Sequence, residues 1–185
     1  MQILRKVYNN TKITKSETIL SLEETKQKVL LLDCSGSMKR IFCGNSTRHD
    51  ALIDLTNKLR NDGLIFRQIC FNSIVKEQMF IELPHGDTYL HKALVFTLKQ
   101  PTKRIILVSD GCPNGKHDTY ELLVNLLKKY NIVLDVFYIG NEMNGELLLR
   151  ALCAATGGKF ETIRDNVPSL MEATQEIAGI LGPAK

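Results

Sequence analysis

Val29-Leu30-Leu31-Leu32-Asp33-Cys34-Ser35-Gly36-Ser37-Met38 is the stretch from which the rest of the chain can be read. Its aliphatic run has no polar alternation, as expected of a strand buried on both faces inside a parallel sheet. The run ends in one carboxylate and two hydroxyls on a tight turn. Asp33, Ser35 and Ser37 alternate along that turn, so all three can face one point. Gly36 removes a side chain where the backbone must bend. Hard divalent cations such as Mg²⁺ take oxygen ligands in near-octahedral geometry, and this turn offers that chemistry.

Two later segments can complete a shell of oxygens. One is Gly86-Asp87-Thr88-Tyr89-Leu90-His91-Lys92-Ala93-Leu94, and the other is Ile105-Ile106-Leu107-Val108-Ser109-Asp110-Gly111-Cys112-Pro113. The second repeats the pattern of a buried strand running into an Asp. Taken in order, the three segments resemble the von Willebrand factor A family and its metal-ion-dependent adhesion site. That family's pattern is D-x-S-x-S, a Thr opening T-x-L-x-x-A-L, and an Asp in a [ST]-D-G-x-P context. The resemblance runs from about residue 28 to residue 181. Asp87, where the family often has Gly, is a small departure that adds negative charge beside the site.

Outward from the first strand, the sequence alternates strand and helix. Strands are predicted at 28–32, 64–71, 74–83, 104–109, 132–139 and 159–163, and helices near 46–61, 88–98, 117–130, 144–156 and 167–181. Ser46 or Thr47 is available to cap the first helix, and Gly157-Gly158 stops the fourth. Only Asn72-Ser73 separates the second and third strands, so that pair is antiparallel. The expected fold is α/β, a doubly wound, mostly parallel sheet of order 3-2-1-4-5-6 with strand 3 antiparallel. Helices cover both faces, as in Rossmann-like and von Willebrand factor A folds. The order reverses between the 28–32 and 104–109 strands, where open α/β sheets bind ligands. Residues 28–185 are read as one domain, with residues 1–27 as an N-terminal hairpin or an arm packed on it.

The resemblance implies roles for particular residues. Ser35, Ser37 and Thr88 are the direct ligands, with Asp33 and Asp110 acting directly or through water. The cation implied is Mg²⁺, and Mn²⁺ or Ca²⁺ fits the same hard oxygens. At most two carboxylates, acting partly through water at a distance, leave such a cation under-neutralised, so an open position attracts an Asp or Glu carboxylate from a partner protein. Lys39, Arg40, Phe42, Tyr89, Asn114 and Lys116, with His117, fall on the loops nearest this point. Its basic residues favour an acidic partner, and Phe42 and Tyr89 are candidate apolar anchors. Residues 39–48 form the candidate specificity loop. His85 and His91 are read as surface or helix residues, and the alternative role for Thr88 is that of a helix N-cap, which is compatible with metal binding.

Composition bounds the rest. A length of 185 residues fits one domain with a real core, and 44% hydrophobic with 24% charged residues is a globular balance. A net charge of +4, mixed along the chain and without a basic, aromatic-rich stripe, argues against nucleic acid. No apolar run is long enough to cross a bilayer, and no secretory signal is visible at the start. Five cysteines with no C-x-x-C spacing point to a reducing, cytoplasmic setting. Cys34 and Cys112 are placed to approach each other near the site. The expected function is a non-enzymatic, divalent-metal-dependent adaptor or assembly factor. AAA-type ATPases, kinases or phosphatases are partner systems implied by resemblance alone. The alternatives are a metal-assisted hydrolase or phosphoryl-transfer enzyme, for which the motifs supply no convincing general base, and a module of a ribonucleoprotein or DNA-repair assembly.

Overall fold

The computed structural model describes residues 27–111 and 113–182. The expected N-terminal hairpin or arm therefore lies outside the described residues, except for Gln27, and so does Cys112. Strand β1 (Lys28–Asp33) is followed by a single 3-10 turn at Gly36–Lys39 and a small antiparallel hairpin, β2 (Ile41–Cys43) and β3 (Ser46–Thr47). Helix α1 (Arg48–Asn61), β4 (Arg67–Phe71), β5 (Val75–Glu77), α2 (Leu90–Thr97) and β6 (Arg104–Ser109) come next. Helix α3 (Tyr120–Lys129), β7 (Val133–Tyr138), α4 (Met143–Thr156), β8 (Phe160–Thr162) and α5 (Val167–Leu181) complete the described chain. The six-stranded sheet has the order β5-β4-β1-β6-β7-β8, parallel throughout except for β4 with β5. Numbered within that sheet, this is 3-2-1-4-5-6 with strand 3 reversed, as expected.

Two-sided burial explains the unbroken apolar strands. Val29 and Leu31 point to one face with Ile105, Leu107, Leu134 and Val136, under α2, α3 and α4. Leu30 and Leu32 point to the other with Ile106, Val108 and Phe137, under α1 and α5. Alternate residues of one strand thus belong to separate cores, which is why β1 and β6 show no alternation of apolar and polar residues.

Helix ends carry their signals in the sequence. Thr47 caps α1 in a reciprocal box with Asp50: its Oγ1 accepts the Asp50 N–H at 3.1 Å, and its own N–H donates to Asp50 Oδ2 at 2.8 Å. Asn166 caps α5 by accepting the Ser169 N–H. Thr88 is not the cap of α2. Asp118, from the loop before α3, accepts the His91 N–H there, so a side chain distant in sequence has taken over the work.

The expected strand 74–83 shrinks to Val75–Glu77. In the observed register Ile69 faces Glu77, so β4 ends opposite residue 79 and nothing remains for 80–83 to pair with. Phe80 and Leu83 are consequently exposed. The 39–48 loop is shorter than expected because the β2–β3 hairpin turns at Gly44, whose φ is 59°.

The two glycines that end α4 have different tasks. Gly157 adopts the left-handed conformation at φ 70°, with open space around it. At Gly158 a Cβ would lie 1.9 Å from the Leu134 carbonyl oxygen, so the helix can approach β7 only without a side chain. Gly158→Ala is expected to cost about 2–3 kcal/mol through overpacking, and Gly157→Ala about 1 kcal/mol through backbone strain alone. Urea unfolding midpoints of the two variants measure the difference.

Candidate metal centre

The parallel pairing of β1 with β6 sets the site. Lys28 faces Arg104 and Leu32 faces Val108, so continuing the register brings Asp33 against Ser109, with Asp110 one residue beyond. Ser109 Oγ donates to Asp33 Oδ2 at 2.6 Å, and the Ser35 N–H donates to Oδ1 at 2.9 Å. Asp33 is fully buried, and Ser35 and Asp110 nearly so. Ser35 Oγ and Ser37 Oγ lie 3.0 Å apart, and Ser37 Oγ donates to Asp110 Oδ1 at 2.9 Å. Four of the five expected ligands therefore share one hydrogen-bonded cluster with Ser109.

Thr88 comes to the same loops through its backbone. The Gly36 N–H donates to the Gly86 carbonyl at 3.0 Å, and the His85 N–H to the Cys34 carbonyl at 3.1 Å. The Thr88 N–H donates to Asn114 Oδ1 at 2.9 Å, while the Asn114 N–H returns to the Thr88 carbonyl at 3.1 Å. Thr88 is buried and held between the loops that follow β1 and β6. Gly86 has a φ of 69°, and a Cβ there would meet Ser73 Oγ at 2.5 Å, so this crossing needs glycine twice over.

A residue outside the expected set completes the cluster. Arg48, the first residue of α1, is 2% exposed and pairs with Asp110: Nη1 donates to Oδ2 at 2.8 Å. Its Nη2 donates to Asn141 Oδ1 at 3.1 Å, and its buried Nε has no partner. The one hint in the sequence is a cation on the first turn of a helix, where the macrodipole disfavours it. Ser109 could have been anticipated from its place before Asp110, whereas Asn141 carries no signal in the sequence.

The rim is mixed. Lys39, Asn114, Lys116 and His117 are exposed. Arg40 forms an ion pair with Glu142. Tyr89 is half-buried; its hydroxyl donates to Asp87 at 3.1 Å, and the Lys92 ammonium lies 4.1 Å from its ring centroid. Phe42 is not an exposed anchor. It is 4% exposed and packs into the α1/α5 core, because strand alternation in the β2 hairpin turns it inward and leaves Ile41 outside. His91 and His117 meet with ring centroids 5.6 Å apart beside a cavity of about 320 Å³, a closeness that sequence spacing does not reveal. Cys34 turns away from the oxygens, its Sγ 3.8 Å from the Leu32 carbonyl, beside Cys70.

The donor set fits a hard divalent cation. An octahedron with metal–oxygen bonds of 2.0–2.1 Å has adjacent oxygens ~3 Å apart. Ser35 to Ser37 and Ser37 to Asp110 match that edge at 3.0 and 2.9 Å. Such a spacing is also a hydrogen bond, so exchanging a proton for a cation requires little movement of these oxygens. Among the described residues no group of three or more His, Cys, Asp or Glu side chains could hold a metal ion, so the candidate ligands are mainly hydroxyls. Burial, and next the Asp110 charge, raise the Asp33 pKa from 3.8 to about 6, against the lowering effect of hydrogen bonds from Ser109 and Ser35.

No family model matches the chain, and no curated protein does. Solved structures do. BatB from Bacteroides thetaiotaomicron aligns at TM-score 0.62 and 16% identity, over 84% of this chain and 98% of that one. Manganese-loaded TRAP protein of Plasmodium vivax aligns at 0.60 and 21%, over 86% and 75%. The SpRpn10 VWA domain aligns at 0.59 and 15%, over 86% and 98%. The chain has the von Willebrand factor A fold.

The raised Asp33 pKa gives a signed expectation. Between its unfolded value of 3.8 and its folded value of about 6, the native protein holds this proton more tightly than the unfolded chain does. Its contribution is fully present below pH 4 and is lost as pH rises through 6, amounting to roughly 3 kcal/mol. With chelator present, Asp33→Asn is therefore expected to be more stable than the parent above pH 7, with the gap closing below pH 4. Urea unfolding of both proteins across that range checks it.

Proposed function

We propose that this chain is a protein-binding module that uses a divalent cation, Mg²⁺ with Mn²⁺ or Ca²⁺ as substitutes, to capture an Asp or Glu carboxylate of a partner. The observation that carries the reading is the row of oxygens on Ser35, Ser37 and Asp110, spaced as octahedral edges at the point where the strand order reverses. A fold shared with manganese-loaded TRAP supports it.

In this reading Ser35, Ser37 and Thr88 hold the cation, and Asp33 and Asp110 balance part of its charge directly or through water. When bound, the cation supplies a Lewis-acidic position for one oxygen of an external carboxylate. The protein supplies the rest. Ser109 orients Asp33, Asn114 fixes Thr88, and the Gly36 N–H ties the turn to the Gly86 carbonyl. Lys39 and Lys116, exposed on neighbouring loops, raise the local potential for an acidic segment.

The module is read as non-enzymatic, an adaptor or assembly factor in an intracellular complex. Both oxygens of each carboxylate are engaged by donors within the cluster, which leaves neither placed to abstract a proton from a substrate. The four described cysteines are free thiols, in keeping with a reducing compartment. Among the described residues no helix is long and apolar enough to cross a membrane.

Pull-down from native lysate with Mg²⁺ should retain a partner that is released by EDTA. The same partner should be missing with Thr88→Ala, and Ser37→Ala should weaken Mn²⁺ binding at least tenfold by titration of free Mn²⁺. Partner retention indifferent to both chelator and Thr88→Ala would rule out this route of binding.

A further inference from the structure

Arg48 is in an expensive position. It is a cation on the first turn of α1, facing the positive end of the helix dipole. It is 2% exposed, and one of its N–H groups is buried without a partner. The side chain does more than fill space, since an apolar replacement of similar length would leave Asp110 buried without its counter-charge. The charge faces the candidate centre, 2.8 Å from Asp110 Oδ2, while the other oxygen of the same carboxylate accepts the Ser37 hydroxyl. Asp110 thus lies between a fixed cation and the place proposed for a mobile one.

We propose that Arg48 is a built-in second cation of the centre, giving up metal affinity in return for stronger capture of a carboxylate. The inference rests on the metal-dependent reading above. Two ionised aspartates and one divalent cation sum to zero; with Arg48 the loaded centre carries +1. That surplus is buried, where opposite charges interact far more strongly than in water, and an incoming carboxylate brings the sum back to zero. Arg48 also repels the metal, so the centre holds its cation most firmly once the acidic ligand arrives. Without metal, the guanidinium balances Asp110 and spares the fold a second uncompensated carboxylate beside Asp33. Asn141 keeps the fork aimed by accepting from Nη2 at 3.1 Å.

The test uses the whole chain and two substitutions, Arg48→Met to remove the charge and Arg48→Lys to keep it. Free Mn²⁺ is measured by electron paramagnetic resonance, and N-acetylglutamate serves as the carboxylate probe at saturating Mn²⁺. Arg48→Met is expected to bind Mn²⁺ at least tenfold more tightly and N-acetylglutamate at least fivefold more weakly. Arg48→Lys should stay within about threefold of the parent in both. Opposite movement of the two constants is the signature, because a residue that only shaped the loop would weaken both together. Should Arg48→Met fail to fold, the Arg48 Nε–H resonance of the parent protein supplies the second readout. It should shift on Mg²⁺ titration with the midpoint of metal binding. Metal affinity unchanged or lowered in Arg48→Met, or a resonance indifferent to Mg²⁺, overturns the inference and leaves the metal-dependent reading intact. A parent protein that binds no Mn²⁺ at millimolar concentration overturns both.

Discussion

The site depends on one contact, the hydrogen bond from Ser109 Oγ to Asp33 Oδ2 across the ends of two parallel strands. It exists because β1 and β6 pair without a bulge in the register that sets Leu32 against Val108. A slip of one residue would turn every side chain of a strand to the opposite face, and Val29 and Leu31 would exchange cores with Leu30 and Leu32. Both faces of these strands are closed by helices, so the hydrophobic pattern forbids that slip. The alignment of the polar cluster is thus enforced by buried aliphatic residues that never touch it.

The crevice itself follows from topology. The sheet runs outward from β1 through β4 to β5, and from β6 through β7 to β8, so the chain leaves β1 and β6 in opposite directions. Among the described residues, loops and the 3-10 turn at Gly36–Lys39 lie at the carboxyl ends of those two strands. The loops after β1 and before α2 are tied by Gly36 to Gly86 and by Cys34 to His85, and Asn114 ties Thr88 to the loop after β6. Three segments far apart in sequence are therefore fixed by backbone bonds, leaving the hydroxyls of Ser35 and Ser37 turned to each other and to Asp110.

Much of this was legible in the sequence because it is encoded locally. Continuous aliphatic runs mark β1 and β6, the short Asn72-Ser73 connection marks the antiparallel pair, and Asp33, Ser35, Ser37 and Asp110 sit at or just beyond strand ends. What could not be read depends on partners distant in the chain. Asp118 caps α2 from a loop 27 residues on, which no local signal at Thr88 announces. The outer strand was overextended because its length is limited by β4 and not by its own residues. Phe42 looked like a surface anchor until the hairpin gave it an inward face, although Gly44-Asn45 between two short runs was a turn signal open to view. Arg48 was passed over for the same reason, since its meaning lies 62 residues away at Asp110.

The balance of charge in the cluster bears on what kind of centre this can be. A closed structural site neutralises its ion and satisfies every ligand from within. Here the protein offers two carboxylates, one of which is already balanced by a buried guanidinium, and the remaining donors are neutral hydroxyls. Burial, and next its neighbour's charge, disfavour the ionised form of the other carboxylate. In the proposed reading a divalent cation would favour that ionised form, while Arg48 stays anchored at both ends of its fork. The positive excess that would then remain has no counterpart among the clustered side chains named above, which is why the proposed reading calls for an acidic group from outside.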